Sequence, residues 1–401
     1  MARPARRFRL PAVLVAAAAF AAAPRRTGAA GTEPFEVDDI LEPPPAVELE
    51  LVQTRITAYE QKGYGFQSQA GPLSGPGSET LHVLQAQAEL VARQGERVTH
   101  RLWVPVDVVT SASANATDRY YAEPDIVSAA SAQTFGAEAE YEISLHSPAG
   151  PTWSGGVGYH IEEILNSWRL SLRYEQPFAE DNTTLAVGVN QVLDWFNRFD
   201  LGGLRIGRAS RSSTNLNVSV SQLLSPTTIV GVGYGVTFQA GELGNTYNTV
   251  PSDDGERVLE ALPPSRRRNA ASASLTQWLP WRGSLRLSYR FYVDDWAVTA
   301  NSVETELLQR VLPWLVLGAS YRYHDQSAAS FFTTRGSAAA PLLSADSDLD
   351  AFVSQTVGGS ARVDLGAGRL GDLFLSLGCD HYFRSNDLRV NVATWASGFR
   401  F

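Results

Sequence analysis

Residues 284–298, SLRLSYRFYVDDWAV, repeat charged side chains on a single parity of the chain. Arg286 and Arg290 share that parity with Tyr292, whereas leucines and aromatic residues fill the other parity. Opposite charges on facing positions of neighbouring strands attract, and a guanidinium can bridge two carboxylates. A set of such charges can keep a polar wall in register, or it can discriminate between charged solutes.

We predict that charges from three neighbouring strands form an inward-facing ladder. Because the chain is expected to reverse at DDW, Arg286 lies beside Glu304 or Glu306. A second reversal, at LPW, sets Arg322 beside the same two glutamates. The ladder comprises Arg286, Glu304, Glu306, Arg322, Arg290 and Asp294, with Tyr292 between the last two.

Metal ligands are not grouped in this sequence. Its six histidines lie on separate segments, and no pair of them has the spacing of a helical or strand metal site. Asp346, Asp348 and Asp350 alternate in SADSDLDAF, yet no following glycine and glutamate complete a calcium loop. We therefore expect a solvated acidic loop and no metal or cofactor. The histidines are His82, His100, His146, His160, His324 and His381.

The sequence also lacks the usual nucleophilic motifs. It contains no glycine–serine nucleophile elbow and no glycine loop that would hold a phosphate. Cys379 and His381 share the outward parity of one segment, where a lipid hydrolase would need a histidine and a serine. No partner serine can be identified, so we expect no catalytic residues, and a membrane hydrolase is only an alternative.

The charged residues lie on strands, because apolar and polar residues alternate strictly around them and successive side chains of a strand leave opposite faces. We predict an all-β fold, a single transmembrane antiparallel up-and-down β-barrel of about sixteen strands, with fourteen or eighteen as alternatives. The expected segments are 46–61, 78–93, 97–111, 133–145, 152–164, 168–178, 183–196, 212–223, 227–240, 269–279, 283–293, 297–310, 315–325, 350–365, 371–385 and 392–401.

Loop lengths distinguish this barrel from a soluble sandwich, which would bury the leucines and expose the arginines. Bacterial outer-membrane barrels have short periplasmic turns and longer outer loops. From a periplasmic N-terminus, all even connections are short, whereas most odd ones are long. The leucines are therefore expected to face lipid and the arginines the lumen. The long connections are KGYGFQSQAGPLSGPG, 112–132, 197–211, 241–268 and 326–349.

The N-terminus has the pattern of a secretory signal. A basic stretch, MARPARRFR, precedes an apolar run at 10–23 that is too short to span a bilayer. An acidic, proline-rich segment follows it. We predict a signal peptide at 1–30, a periplasmic lead at 31–45 and the barrel at 46–401.

Charge and cysteine usage limit the partners of the mature chain. Removal of the signal leaves 27 of the 33 basic residues against 42 acidic ones, a net charge of −15. This balance argues against nucleic acid as a partner, which needs a basic face, and suits a lipopolysaccharide surface bridged by divalent cations. Cys379 is the only cysteine, so an internal disulfide is impossible.

Aromatic residues mark the C-terminus and the strand ends. Trp395, Phe399 and the terminal Phe401 share one parity, which is the pattern that the barrel assembly machinery recognises. Tryptophans at the strand ends are expected to form interfacial girdles. The girdle candidates are Trp195, Trp278, Trp281, Trp296 and Trp314.

The sequence resembles a proteobacterial family of uncharacterised outer-membrane β-barrel proteins, classed as a domain of unknown function. The resemblance runs from VPVDVVTSASANATD to Phe401 and is carried by LSYRFYVDDWAVTANSVETEL, SQLLSPTTIVGVGYGVTFQAGELGNTYNTV and GASYRYHDQSAASFF. His324 departs from the family pattern in the last of these. The resemblance implies a fold and a location in the outer membrane of a Gram-negative cell, and no reaction.

Three function classes are compatible with such a barrel. The first is a channel or transporter for small solutes, since sixteen strands enclose a lumen wide enough for water. The second is a structural or accessory barrel, plugged by its own loops and serving a partner complex. The third is a membrane enzyme that modifies lipids. The partners expected in each case are outer-membrane lipids and lipopolysaccharide.

Overall fold

The computed structural model describes residues 47–63, 80–112, 132–148, 150–201, 204–244, 248–252, 257–337, 339–368 and 371–401. The expected signal peptide and periplasmic lead lie outside these residues. Within them, no helix is long and apolar enough to cross a bilayer.

Sixteen antiparallel strands close into one barrel, which confirms the predicted fold class and strand number. Each strand pairs with its neighbours in the chain, and the first strand pairs with the last. The barrel strands are β1 (Val47–Gly63), β2 (Thr80–Gln94), β3 (Val98–Ala112), β4 (Ala132–His146), β5 (Thr152–Glu162), β6 (Leu165–Phe178), β7 (Thr183–Phe199), β8 (Arg205–Ser225), β9 (Thr228–Gly241), β12 (Ser265–Leu279), β13 (Gly283–Asp294), β14 (Thr299–Leu312), β15 (Leu315–Gln326), β16 (Phe352–Gly368), β17 (Gly371–Arg384) and β18 (Leu388–Arg400).

Two further strands, β10 (Thr249–Pro251) and β11 (Arg257–Leu259), form a small separate sheet in the connection between β9 and β12. This connection, 242–264, and the one between β15 and β16, 327–351, are the two long connections of which the structure describes a part. Both lie at the same end of the barrel, which we call the long-loop end. The opposite end, with connections such as 226–227 and 280–282, is the short-turn end.

One expected long connection is in fact short. The prediction of a long loop at 197–211 is wrong, because β7 continues to Phe199 and β8 begins at Arg205. Asp200 and Leu204 close the turn: the amide of Asp200 donates to the carbonyl of Leu204, whose own amide donates to the Asp200 carboxylate at 2.8 Å. The first half of β8 is polar and rich in serine, and both of its faces carry hydrophilic residues. Its sequence therefore lacks the alternation of apolar and polar residues that predicts a strand.

The two faces of the wall have opposite chemistry. On β13, the outward residues Leu285, Leu287 and Phe291 are 39%, 46% and 40% exposed, whereas Arg290 and Tyr292 on the other parity line the lumen. Large apolar side chains are exposed in the same way on the other strands. A contiguous apolar belt is unfavourable in water and is the surface that a transmembrane barrel presents to lipid.

The two long connections pack against each other. The backbone amide and carbonyl of Ala261 exchange hydrogen bonds with those of Leu343, both at 2.9 Å. Val250, from β10, and Leu343 form an apolar cluster with Ala345. Because each connection supplies part of the other's packing, they form one layer at the long-loop end.

A row of glutamates follows the lumen face of β4. Glu138, Glu140 and Glu142 share the parity that faces the lumen, whereas Phe135 and Tyr141 on the other parity are exposed outside. Glu138 is buried and forms an ion pair with Arg169 of β6 at 2.9 Å. In the closed strand order, β4 lies eight strands from β14, so these acids occupy the opposite side of the barrel from β13–β15.

Candidate functional site

The candidate site is a cavity of about 420 Å³ at the long-loop end of the lumen, which we call the chamber. Its wall consists of inward residues from six neighbouring strands, β8, β9 and β12–β15. Its roof comes from both long connections and the turn between β13 and β14. The lining residues are Arg211, Gln239, Leu243, Glu260, Leu262, Arg266, Arg268, Arg290, Tyr292, Trp296, Val298, Ala300, Ser302, Arg322, His324, Gln326, Asp346, Asp348 and Leu349.

Asp294 connects the roof to the wall. Its side chain is fully buried and accepts hydrogen bonds from Arg266 Nε at 2.8 Å and from the Tyr292 hydroxyl at 2.7 Å. The other carboxylate oxygen accepts from the backbone amides of Trp296 and Val298, at 3.0 and 2.9 Å. A buried carboxylate is stable when its lone pairs are satisfied in this way. The positive charge of Arg266 is therefore neutralised by Asp294.

Trp296 packs over the same arginine. The guanidinium of Arg266 lies 4.2 Å from the centre of the indole ring, and the indole Nε1 donates to the carbonyl of Ser265 at 3.0 Å. The side chain is only 4% exposed, so its assignment to the interfacial girdle is wrong. The turn folds inward over the lumen and carries the ring with it. The other four girdle candidates are exposed, at 44% to 62%.

Arg211 is the second wall arginine with an internal partner. Its Nε donates to Asp194 of β7 at 2.7 Å, and the other oxygen of this carboxylate accepts from the Ser167 hydroxyl, also at 2.7 Å. Asp194 is buried. As with Arg266, the positive charge is balanced by a carboxylate of the adjoining wall.

Three other arginines of the wall have no ion pair with a carboxylate among the described residues. In the part of the chain that the structure describes, no carboxylate lies within 4.0 Å of Arg268, Arg290 or Arg322. The Nε of Arg268 is buried and has no hydrogen-bond partner among the described residues. Arg290 and Arg322 are exposed to the lumen. These three side chains give the wall of the chamber its positive character.

The roof of the chamber is apolar. Trp296 and Val298 from the turn pack with Ala329 and Leu349 of the β15–β16 connection. Leu243 and Leu262 of the other long connection contact this cluster and also line the chamber. The chamber thus has cationic and apolar surfaces that face one another.

Acidic residues of the β15–β16 connection form the ion pair and hydrogen bonds that join the roof to the wall. Asp348 forms an ion pair with Arg384 of β17 at 2.8 Å, and its backbone carbonyl accepts from Gln326 at 2.9 Å. Asp346 caps a single helical turn by accepting from the amide of Asp348 at 2.9 Å. Burial raises the pKa of Asp346, and the carboxylate of Asp348 adds to this effect. Burial also raises the pKa of Asp350.

The acidic alternation of SADSDLDAF therefore has a structural function in this fold. Among the described residues, no three histidine, cysteine or acidic side chains are grouped closely enough to hold a metal ion. His324 lies in the wall of the chamber, where its Nδ1 is 2.8 Å from the Ser302 hydroxyl. His381 lies on the outward face of β17, 2.7 Å from Asn391.

The register of β13–β15 places the residues of the expected ladder. Arg286 lies opposite Glu306, and Glu304 lies opposite Arg322. In the described structure no ion pair closer than 4.0 Å joins these side chains. Arg290 and Arg322 line the chamber, and Asp294 holds its roof. Glu304 lies at the level of Arg322, whereas Arg286 and Glu306 lie nearer the short-turn end.

The residues of the expected assembly signal lie at the seam where β18 pairs with β1. Trp395 and Phe399 lie on the outward face of β18, paired in register with Ile56 and Val52 of β1. The amide of Phe401 donates to the carbonyl of Glu50 at 3.1 Å, and its side chain is 59% exposed.

Arg266 and Arg268 were missed in the sequence because β12 was expected to begin at 269. The stretch SRRR, 265–268, therefore falls in a predicted loop. The available signal was the register with β13: continuing the pairing of Ala270 with Tyr292 by two residues sets Arg268 opposite Asp294.

The chain matches one family model. Residues 195–389 match a family described as "Protein of unknown function (DUF3570)". This confirms the resemblance to an uncharacterised family over just under half of the chain. The matched stretch begins in β7, ends in β18 and contains every residue that lines the chamber.

Several solved structures are similar at low identity. One is described as "Bacterial polysaccharide outer membrane secretin", with 11% identity over 88% of this chain and 99% of that chain and a TM-score of 0.46. A BenF-like porin from Pseudomonas fluorescens Pf-5 has 10% identity over 88% and 99% of the two chains and a TM-score of 0.44. Pseudomonas aeruginosa OccK2 (OpdF) has 10% identity over 89% and 100% and a TM-score of 0.43. No curated protein sequence matches the chain.

Proposed function

We propose that this chain is an outer-membrane channel for small solutes, exported by a cleaved signal peptide. The observation that carries the proposal is a closed barrel of sixteen strands with an apolar outer face and a lumen lined by charged and polar residues. Barrels of about sixteen strands leave an aqueous path through their centre.

Conductance tests this proposal directly. The purified full chain, inserted into planar lipid bilayers, should give stable single-channel currents of porin size. A preparation of the same protein unfolded by heat should give none. Absence of stable currents from folded, inserted protein would contradict a channel function.

An accessory barrel plugged by its own loops is the second candidate, favoured by the packing of the two long connections over the lumen. Replacing 330–345 by a short glycine–serine linker removes Leu343 and Ala345 from this packing. If the loops plug the barrel, wild-type protein is silent and the shortened variant conducts. If the barrel is a channel, both proteins conduct.

A further inference from the structure

The arginines that line the chamber outnumber its acids. Five arginines line it, against the acids Glu260, Asp346 and Asp348, and Glu304 lies opposite Arg322 in the strand register. Arg211 and Arg266 are each held by a buried aspartate, but Arg268, Arg290 and Arg322 have no carboxylate within 4.0 Å in the described structure. Asp348 is paired with Arg384 outside this group. A charged side chain in a recess with few counter-charges favours an anion from solution.

The position of Arg268 strengthens this inference. Its Nε is shielded from solvent and, within the described chain, donates to no acceptor. A buried donor without an acceptor is costly, and a ligand oxygen would remove that cost. The two lumen-exposed arginines lie on neighbouring strands of the same wall, Arg290 on β13 and Arg322 on β15. Guanidinium groups present paired donors that match the two oxygens of a carboxylate.

The roof distinguishes between kinds of anion. Trp296, Val298 and Leu349 present an apolar surface to the same cavity. Inorganic phosphate would leave that surface without a partner, whereas an organic acid would cover it with its hydrocarbon part. The volume of about 420 Å³ lies within the range of small-molecule sites.

We propose that the chamber binds organic carboxylates, with the carboxylate against Arg268, Arg290 and Arg322 and the apolar body beneath Trp296. This inference rests on the proposed function, since it names the class of solute that the channel selects. Binding of such a solute is reversible, so it can leave the chamber and continue along the lumen.

Calorimetric titration of the full chain in detergent tests the site, with benzoate, benzyl alcohol and inorganic phosphate as probes. Benzoate should bind at least tenfold more tightly than either of the other two. R268Q, R290Q and R322Q should each weaken benzoate binding about tenfold, because each removes a charge-assisted hydrogen bond. R55Q removes an equal charge from the lumen face of β1, outside the chamber, and should leave binding unchanged.

Three results would overturn the inference: phosphate binding as tight as benzoate binding, equal binding by all three arginine variants and wild type, or an equal loss in R55Q. Conductance measured in parallel separates this inference from the proposed function. Arginine-dependent benzoate binding by a silent barrel refutes the channel alone. A conducting barrel without arginine-dependent benzoate binding refutes the carboxylate site alone.

Discussion

Arg266 and Asp294 form an almost fully buried ion pair in which Arg266 Nε lies 2.8 Å from the carboxylate. The pair joins β12 to the end of β13, and the same carboxylate holds the backbone of the following turn. It therefore neutralises Arg266 in the chamber wall and holds the turn that carries the roof residues Trp296 and Val298.

Replacing Asp294 by asparagine should destabilise the barrel by about 3 kcal/mol, because Arg266 would remain buried without a counter-charge. The amide oxygen of asparagine can still accept from the turn, whereas its NH2 group replaces the oxygen that accepts from Arg266 and Tyr292, so these hydrogen bonds are lost together with the charge. Thermal unfolding in detergent measures the effect. D295N alters the exposed neighbour and should cost about 1 kcal/mol or less; a similar loss in both variants would contradict the proposed importance of the buried pair.

Replacing Glu304 and Glu306 together by glutamine should shift ion selectivity toward anions. Both glutamates face the lumen and neither has an ion pair closer than 4.0 Å in the described structure, so their charge acts on passing ions. Reversal potentials across a salt gradient measure the shift, with R55Q as a variant of opposite charge change. Unchanged selectivity with lower thermal stability would show instead that the glutamates only keep the wall in register.

Protonation of Asp346 should control the stability of the roof. Its folded-state pKa is raised above the ordinary value of 3.8, so between these two values the folded chain binds more protons than the unfolded chain. The contribution of this group to stability is therefore complete below pH 3.8 and is lost as pH rises through the folded-state pKa.

The variant D346N keeps the capping oxygen and removes the charge. Hydrogen exchange of 328–349 should be slower in D346N than in wild type at neutral pH, and the difference should disappear under acid conditions. Comparing both proteins at one pH cancels the intrinsic exchange rates. D387N, in the short turn between β17 and β18, should match wild type throughout. Faster exchange in D346N at neutral pH would contradict the assigned sign.

Deletion of Phe401, or its replacement by serine, should leave the chain in the periplasm or degraded. The terminal aromatic residue follows the strand that closes the barrel and is exposed on the outer face, where assembly machinery can contact it. Membrane fractionation measures the outcome, and F401Y should assemble normally. Wild-type amounts of the serine variant in the outer membrane would refute the assembly signal.

An epitope tag near Gly244 should be labelled on intact cells, whereas a tag near Arg282 should be labelled only after permeabilisation. The two positions lie at opposite ends of the barrel, Gly244 in a long connection and Arg282 in a short turn. Labelling of the Arg282 tag alone on intact cells would invert the orientation.

The sequence contained enough information for the barrel, because alternation and turn residues determine strand number and register together. For example, the short turns around β14 determine the register that places Arg286 opposite Glu306 and Glu304 opposite Arg322. Strand ends at the long-loop end were less predictable. There β8 begins at Arg205 and β12 at Ser265, in stretches where polar residues on both faces remove the alternation signal.

The chamber itself could not be predicted, since it depends on how two connections pack. Trp296 has the position of a girdle residue in the sequence, and only the inward fold of its turn makes it part of the roof. The contact between Ala261 and Leu343 joins segments far apart in the chain, and neither segment carries a pattern that specifies the other.

The glutamates of β4 and the chamber arginines lie on opposite sides of the barrel. Neither side carries one sign of charge alone, because Arg169 pairs with Glu138 on the β4 side and Glu304 and Glu306 lie among the arginine-bearing strands. Groups of both signs therefore follow the circumference of the lumen. A solute with separated positive and negative ends finds a partner for each end on either side, so the barrel does not impose one orientation on it.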